Sequence, residues 1–216
     1  IYVNHDIEKC LHYLTLASKQ ENPEAQFILG QIYLNGKYVQ RDIEKGIYFY
    51  KRAANNNFML AQFQLAMEYD KGMSVPHDIH QAIHYYKKAA DKGHIHSQFY
   101  LGVIYSQGIG IQRNIQLGIY YYNLAGNQNH PIALYNLGVI YSEGKRVEKD
   151  MKKAINFYTL AAKVGNAKAQ YNLGLIYEEG KETQRKIEKA IQYYTLSANN
   201  NLNESQFHLG LLYYDG

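Results

Sequence analysis

Cysteine is nearly absent from this 216-residue chain, which contains Cys10 alone. A single cysteine excludes an intramolecular disulfide and a thiolate metal cluster, and it favours a reducing compartment such as the cytoplasm. The chain also lacks 18 consecutive apolar residues, and its first ten residues lack the basic start and apolar run of a signal peptide. The sequence therefore gives no indication of membrane contact.

An excess of charge of one sign is missing as well. The 23 Lys and Arg residues nearly balance the 19 Asp and Glu residues, so the net charge is only +4, and it is dispersed along the chain. Binding of nucleic acid normally requires a concentrated basic surface. We therefore expect no nucleic-acid partner.

The chain does contain a regular internal repeat. The segment AQFILGQIYLNG recurs in altered form every 36 residues, and a second block follows each of its first five copies. The chain opens on another copy of that second block. We expect one repeat domain over 1–216, with a partial repeat over 1–24, full repeats over 25–60, 61–96, 97–132, 133–168 and 169–204, and a partial repeat over 205–216.

Both blocks have the periodicity of helices. We number positions from the Ala or Ser that opens each copy; positions 1, 5, 8 and 12 then share one helical stripe of small or aliphatic residues. Glycine at position 6 costs about 1 kcal/mol inside a helix, so it predicts a neighbour too close for a larger side chain. Glycine at position 12 predicts the helix end. N-caps of the second helix are predicted at Asp42, Asp78, Asn114 and Asp150, with Lys186 as the exception.

The combined pattern A-x-x-x-L-G-x-x-Y-x-x-G and V-x-x-D-x-x-K-A-I-x-Y-Y-x-x-A-A-x-x-G is clearest over 133–165. It resembles the Sel-one-like repeat (SLR), a relative of the tetratricopeptide repeat. The resemblance covers the whole chain and implies an all-α, right-handed α/α superhelical solenoid whose first helices line a concave face. It also implies an adaptor or scaffold for protein complexes, without a common ligand. A cysteine-rich subgroup linked to penicillin binding does not fit a chain with one cysteine.

We expect a partner to bind the side of the first helix that faces away from its buried stripe. Position 3 is aromatic in all six copies, position 7 is apolar in five, and positions 4 and 10 vary. A large apolar surface commonly marks an interface; alternatively, the rings at position 3 pack against the adjacent repeat. The expected partner-binding residues of this concave groove are Phe63, Met67, Phe99, Tyr100, Val103, Tyr135, Asn136, Val139, Tyr171, Asn172, Leu175, Phe207 and Leu211.

Acidic side chains are concentrated towards the C-terminal end of this surface. They suit a basic segment of a partner, although a merely solvated polar rim would have the same composition. The residues concerned are Glu143, Glu178, Glu179 and Asp215.

The sequence gives little support for a catalytic or metal-binding site. His77, His80 and His84 have a spacing compatible with one helical face, but His80 and His84 take repeat positions that hold unrelated residues elsewhere. Cys10 occupies a position that is Gly or Ala in other copies, which predicts a small buried residue. We therefore expect no enzyme activity, metal, cofactor or small-molecule substrate.

Two functions remain open from the sequence. The first is a non-enzymatic scaffold or adaptor whose concave face binds a peptide or helix of another protein. The second is an architectural repeat segment of a longer multidomain protein, for example beside a kinase or a membrane anchor.

Overall fold

The computed structural model describes residues 6–215 and forms twelve α-helices over that range, without a strand. The remaining residues of the two partial repeats, 1–5 and 216, lie outside the described part. The first helices of the repeats are α2 (Pro23–Asn35), α4 (Met59–Lys71), α6 (Ile95–Gln107), α8 (Pro131–Glu143), α10 (Ala167–Glu179) and α12 (Asn203–Asp215). The second helices are α1 (Ile7–Lys19), α3 (Ile43–Asn55), α5 (Ile79–Ala90), α7 (Ile115–Asn127), α9 (Met151–Lys163) and α11 (Ile187–Asn199). The expected all-helical class is confirmed.

The helices form two compact units. The N-terminal unit comprises Ile1–Leu101 and Ile109–Ile111, and the C-terminal unit comprises Gly102–Gly108 and Gln112–Gly216. Within each unit the first helix of a repeat packs against the second helix that follows it, as α2 does against α3 and α8 against α9. No helix in the described range is both long and apolar enough to cross a membrane.

The helix ends follow the local sequence. Asp42, Asp78, Asn114 and Asp150 each accept a hydrogen bond, at 2.9–3.0 Å, from the backbone N–H three residues later. Such a cap is worth about 1 kcal/mol. Lys186 makes no side-chain cap. The predicted N-caps are thus confirmed, and left-handed glycines at position 12 end α2, α4, α8 and α10 as expected.

A tyrosine at position 26 of the repeat lies against the glycine at position 6. A Cβ atom placed on Gly138 would lie 2.5 Å from the ring of Tyr158, and one on Gly174 would lie 2.4 Å from Tyr194. Both tyrosines are buried. The close neighbour predicted from the glycine is therefore present, and it is an aromatic ring of the second helix.

A buried glutamine at position 2, which is not among the predicted site residues, joins consecutive repeats. Its Nε2 donates to a carbonyl oxygen in the last turn of the preceding second helix, as Gln98 does to Ala90 and Gln170 to Ala162, both at 3.1 Å. The recurrence of glutamine at position 2 is the feature of the sequence that indicates a structural role for it. The Ala90 and Ala162 carbonyl groups also accept the backbone N–H groups of Gly93 and Gly165, so the glutamine provides a second donor to each.

Cys10 and the three histidines considered in the sequence lie in different surroundings. Cys10 is exposed, so the prediction of a buried residue is wrong. The equivalent residue of α5, Ala82, is buried where α4 packs against that helix. Among the described residues, no first helix precedes α1 to cover Cys10 in the same way. His80 and His84 are exposed, while His77 Nδ1 lies 2.8 Å from the Asp70 carbonyl oxygen. In residues 6–215 no three metal-ligating side chains come together.

Candidate functional site

The aromatic rings at position 3 pack onto the tyrosine at position 26 of their own repeat. Ring centroids are 6.0 Å apart for Tyr135 and Tyr158, and 5.8 Å apart for Tyr171 and Tyr194. Tyr135 and Tyr171 are half-buried, whereas Phe207 on α12 remains 65% exposed. Both rings therefore pack within their own repeat, and the ring centroid of Tyr171 also lies 5.4 Å from that of His208 in the next repeat.

The side chain at position 4 reaches the same tyrosine from the next repeat. Tyr100 stacks on Tyr86 with centroids 5.4 Å apart. In the C-terminal unit, the side chains of Asn136 and Asn172 act on the hydroxyl groups of Tyr122 and Tyr158 respectively, where each opposes the rise in pKa that burial causes. Position 4 therefore links consecutive repeats while part of each side chain remains exposed.

In the C-terminal unit, the serine side chains at position 10 contact the tyrosine of their own repeat. The hydroxyl groups of Ser106 and Tyr122 lie 3.2 Å apart, and those of Ser142 and Tyr158 lie 3.0 Å apart. Burial raises the pKa of both tyrosines above the ordinary value. Position 10 thus contributes to packing as well as to the surface.

Two solvent-accessible cavities open above these tyrosines in the C-terminal unit. The first, which we call the Asn136 cavity, has a volume of about 290 Å³ and is lined by Ser106, Gln107, Ile115, Tyr122, Asn136, Val139, Ile140, Glu143, Lys145 and Arg146. The second, the Asn172 cavity, has about 210 Å³ and is lined by Ser142, Met151, Tyr158, Asn172, Leu175, Ile176 and Glu179. Each residue of the second cavity lies 36 positions after a residue of the first. The cavities are therefore the same site in two successive repeats.

The residues expected to line the groove lie in different environments. Asn136 and Val139 share one cavity, and Asn172 and Leu175 share the other. In the N-terminal unit, the Sδ atom of Met67 accepts a hydrogen bond from the hydroxyl of Tyr86 at 3.2 Å.

The other expected residues lie outside the two cavities. Phe63 and Tyr100 form an aromatic cluster with Tyr86, Phe99 and Val103 are half-buried on α6, and Phe207 and Leu211 are exposed on α12.

The acidic residues of the sequence analysis also differ in their surroundings. Glu143 pairs with Lys145 at 3.2 Å and Glu179 pairs with Lys181 at 3.4 Å, in exposed ion pairs. Pairs of this kind contribute about 0–1 kcal/mol to stability, so a charged group of a partner can replace either member at little cost. Glu178 instead accepts a hydrogen bond from the hydroxyl of Tyr194. The side chain of Asp215 lies outside the described part.

A histidine caps α6 beside the aromatic cluster of the N-terminal unit. His94 Nδ1 accepts a hydrogen bond from the backbone N–H of Ser97 at 3.2 Å, and its ring centroid lies 4.4 Å from that of Phe63. Burial, with a smaller contribution from His96, lowers the pKa of His94 below its ordinary value. The cap requires an unprotonated Nδ1, so the folded state favours neutral histidine.

Acidification is expected to weaken α6 through His94. Because its folded pKa lies below the unfolded value of about 6.5, the stabilisation is complete above pH 6.5 and is lost as pH falls through the folded pKa. We expect His94→Asn, which caps at either pH, to reduce the difference in melting temperature between pH 7.5 and pH 5. An unchanged difference, measured by circular dichroism, would contradict this role.

Comparison with known proteins identifies the repeat. A model of the Sel1 repeat matches residues 1–22, 23–58, 60–94, 95–130, 131–166, 167–202 and 203–216. No curated protein sequence matches the chain.

Solved structures share the architecture. A protective antigen present in uropathogenic Escherichia coli strains, which displays an SLR fold, is 32% identical with a TM-score of 0.88, over 95% of this chain and 44% of that chain. A Sel1 repeat protein from Oxalobacter formigenes is 30% identical with a TM-score of 0.77, over 95% of this chain and 85% of that chain. The chain therefore spans less than half of the Escherichia coli antigen. These likenesses confirm the repeat-solenoid class.

Proposed function

Because the chain belongs to the Sel1 repeat family, whose members generally act as protein-interaction scaffolds, we propose that it is a non-enzymatic scaffold for a partner protein. The partner segment lies across the first helices of the C-terminal unit. Its side chains enter the Asn136 and Asn172 cavities. The residues that form the contact are those at positions 4 and 7 of the repeat.

The observation that carries this proposal is the pair of equivalent cavities. Their volumes of about 290 and 210 Å³ fall below the roughly 300–1,000 Å³ usual for drug-sized ligands. Each is suited to a single side chain, and a repeated series of such sites suits a polypeptide. A polymer with regularly spaced side chains is the ligand that can occupy both at once.

The lining of each cavity supports the same conclusion. Val139 and Leu175 provide apolar walls, while Asn136 and Asn172 present carboxamide groups beside a tyrosine hydroxyl. Apolar contact supplies affinity, and a few placed polar groups supply orientation. Internal hydrogen bonds hold the tyrosines in place, so the sites exist before a partner arrives, which reduces the entropy cost of binding.

Introducing charge into both apolar walls tests the proposal. We expect Val139→Glu with Leu175→Glu to lower affinity for a native partner at least tenfold, because two carboxylates would have to be desolvated in the interface. Partners captured by the wild type from its source cells would be identified by mass spectrometry and their affinities measured with purified proteins.

A matched control places the same two charges on the second helices. Asn156 and Gln192 are exposed at equivalent repeat positions of α9 and α11. Asn156→Glu with Gln192→Glu is expected to retain binding. Equal affinity of both variants and the wild type, with all three folded by circular dichroism, would refute the assignment of this surface.

A further inference from the structure

The two cavities also indicate which kind of side chain enters them. We infer that each cavity receives one aliphatic side chain, such as leucine, of an extended partner segment; this inference rests on the proposed function. Charge does not select a common occupant, because two basic groups and one carboxylate line the Asn136 cavity, whereas one carboxylate and no basic group line the Asn172 cavity. A segment that places the same kind of side chain in both sites is selected by what the two linings share.

The carboxylates at the two rims are already paired. Glu143 lies 3.2 Å from Lys145, and Glu179 lies 3.4 Å from Lys181. A charged occupant would exchange one exposed ion pair for another, and such an exchange changes the binding free energy little. The rim charges therefore give a charged side chain no advantage over an uncharged one.

The polar groups on the floor of each cavity are bonded within the protein. Tyr122 is 2% exposed, and its hydroxyl group lies 3.2 Å from that of Ser106. Tyr158 is 3% exposed, and its hydroxyl group lies 3.0 Å from that of Ser142. Both serine hydroxyls also donate to a backbone carbonyl of their own helix. A polar side chain that entered would thus gain few hydrogen bonds in exchange for those it made with water.

The apolar walls are the part of each lining that a partner can still cover. Three half-buried side chains at the same repeat positions form each wall: Ile115, Val139 and Ile140 in the first cavity, and Met151, Leu175 and Ile176 in the second. Removal of apolar surface from water contributes roughly 25 cal/mol per Å². An aliphatic side chain therefore gains the most from the features that both cavities share.

The carboxamides of Asn136 and Asn172 favour an extended segment over a helical one. A carboxamide has two donor and two acceptor positions, so its interaction with tyrosine hydroxyl groups leaves part of that capacity for a ligand. A helix pairs its own backbone groups, whereas an extended backbone leaves them free. A carboxamide beside each cavity thus suits the backbone of an extended segment whose side chain enters that cavity.

The repeat also sets the spacing of the two aliphatic residues. Equivalent sites on successive first helices lie about one interhelical distance apart, on the order of 10 Å. In a polyproline II segment, residues three apart share a face and are separated by about 9 Å. A Leu-x-x-Leu segment in that conformation therefore matches the two sites.

Fluorescence anisotropy with labelled synthetic peptides tests the inference directly. The wild-type chain is expected to bind GPLPPLPG at least about tenfold more tightly than GPNPPNPG, because asparagine is close to leucine in size but gains little from an apolar wall. The charged forms GPKPPKPG and GPEPPEPG are expected to bind as weakly as the asparagine form. These comparisons use the unaltered protein, so misfolding cannot account for their outcome.

Two double variants then locate the binding. Val139→Thr with Leu175→Asn makes both walls polar at nearly constant size and is expected to weaken binding of GPLPPLPG at least about fivefold. The control Glu143→Gln with Glu179→Gln removes both rim carboxylates and is expected to leave the affinity within about twofold of the wild type. Circular dichroism verifies that both variants are folded.

Four outcomes would overturn the inference. They are absence of binding to GPLPPLPG, equal or tighter binding of its asparagine, lysine or glutamate form, unchanged affinity of the Val139→Thr with Leu175→Asn variant, and a comparable loss in the control. Loss of native-partner binding by Val139→Glu with Leu175→Glu alongside any of these would leave the proposed function standing. Retention of partner binding by that glutamate variant would remove the proposed function itself.

Discussion

Replacing Gly138 by leucine is expected to lower the free energy of unfolding by about 3 kcal/mol, the upper part of the range for overpacked cores. The new Cβ would lie 2.5 Å from two ring atoms of Tyr158, which is only 3% exposed. The better helix propensity of leucine offsets about 1 kcal/mol at most. Urea denaturation followed by far-UV circular dichroism measures the loss.

The same substitution elsewhere provides the control. Gly210 takes the equivalent position on α12, and a Cβ placed there meets no atom within 4 Å. Gly210→Leu is therefore expected to leave stability unchanged or raise it by about 1 kcal/mol at most. Equal destabilisation by both variants would show that the tyrosine contact is not the cause.

Gly138→Leu should also affect binding. Tyr158 lines the Asn172 cavity, and its hydroxyl group lies 3.0 Å from that of Ser142. A displaced ring would change the shape of that cavity and the position of its acceptors. The packing of the core and the geometry of the proposed site are therefore coupled through one side chain.

Replacing Gln170 by alanine is expected to lower the free energy of unfolding by about 2–3 kcal/mol. Gln170 is 3% exposed; its Nε2 donates to the Ala162 carbonyl at 3.1 Å, and its Oε1 accepts from Asn200 Nδ2 at 3.0 Å. Alanine removes both bonds, leaves the Ala162 carbonyl without its side-chain donor and opens a cavity between two repeats. Thermal and urea unfolding both measure the effect.

Gln206 makes an equivalent bond in a different environment. Its Nε2 donates to the Ala198 carbonyl at 3.3 Å, but the residue is exposed. Water can replace the lost donor, so Gln206→Ala is expected to cost less than about 1 kcal/mol. A comparable loss for both variants would contradict the claim that burial gives this bond its importance.

One departure from the repeat pattern is accompanied by a second departure in the residue that it contacts. Leu134 replaces the usual glutamine at position 2, and Gly126 precedes it where other repeats have Ala or Ser. A Cβ on Gly126 would lie 2.9 Å from Leu134 Cδ2, so the glycine provides room for the leucine. The two exceptions are a compensating pair that only the three-dimensional contact reveals.

The sequence alone determined the repeat length, the helical class and the helix ends. The caps at Asp42 and Asp150 and the left-handed glycine at Gly36 could be predicted because each depends on groups within a few residues along the chain. The tertiary structure decided that Cys10 is exposed, that the ring of Tyr135 packs on Tyr158, and that two cavities remain open. Each of these depends on which side chains from different helices fill a common volume, and no periodicity along one helix specifies that volume.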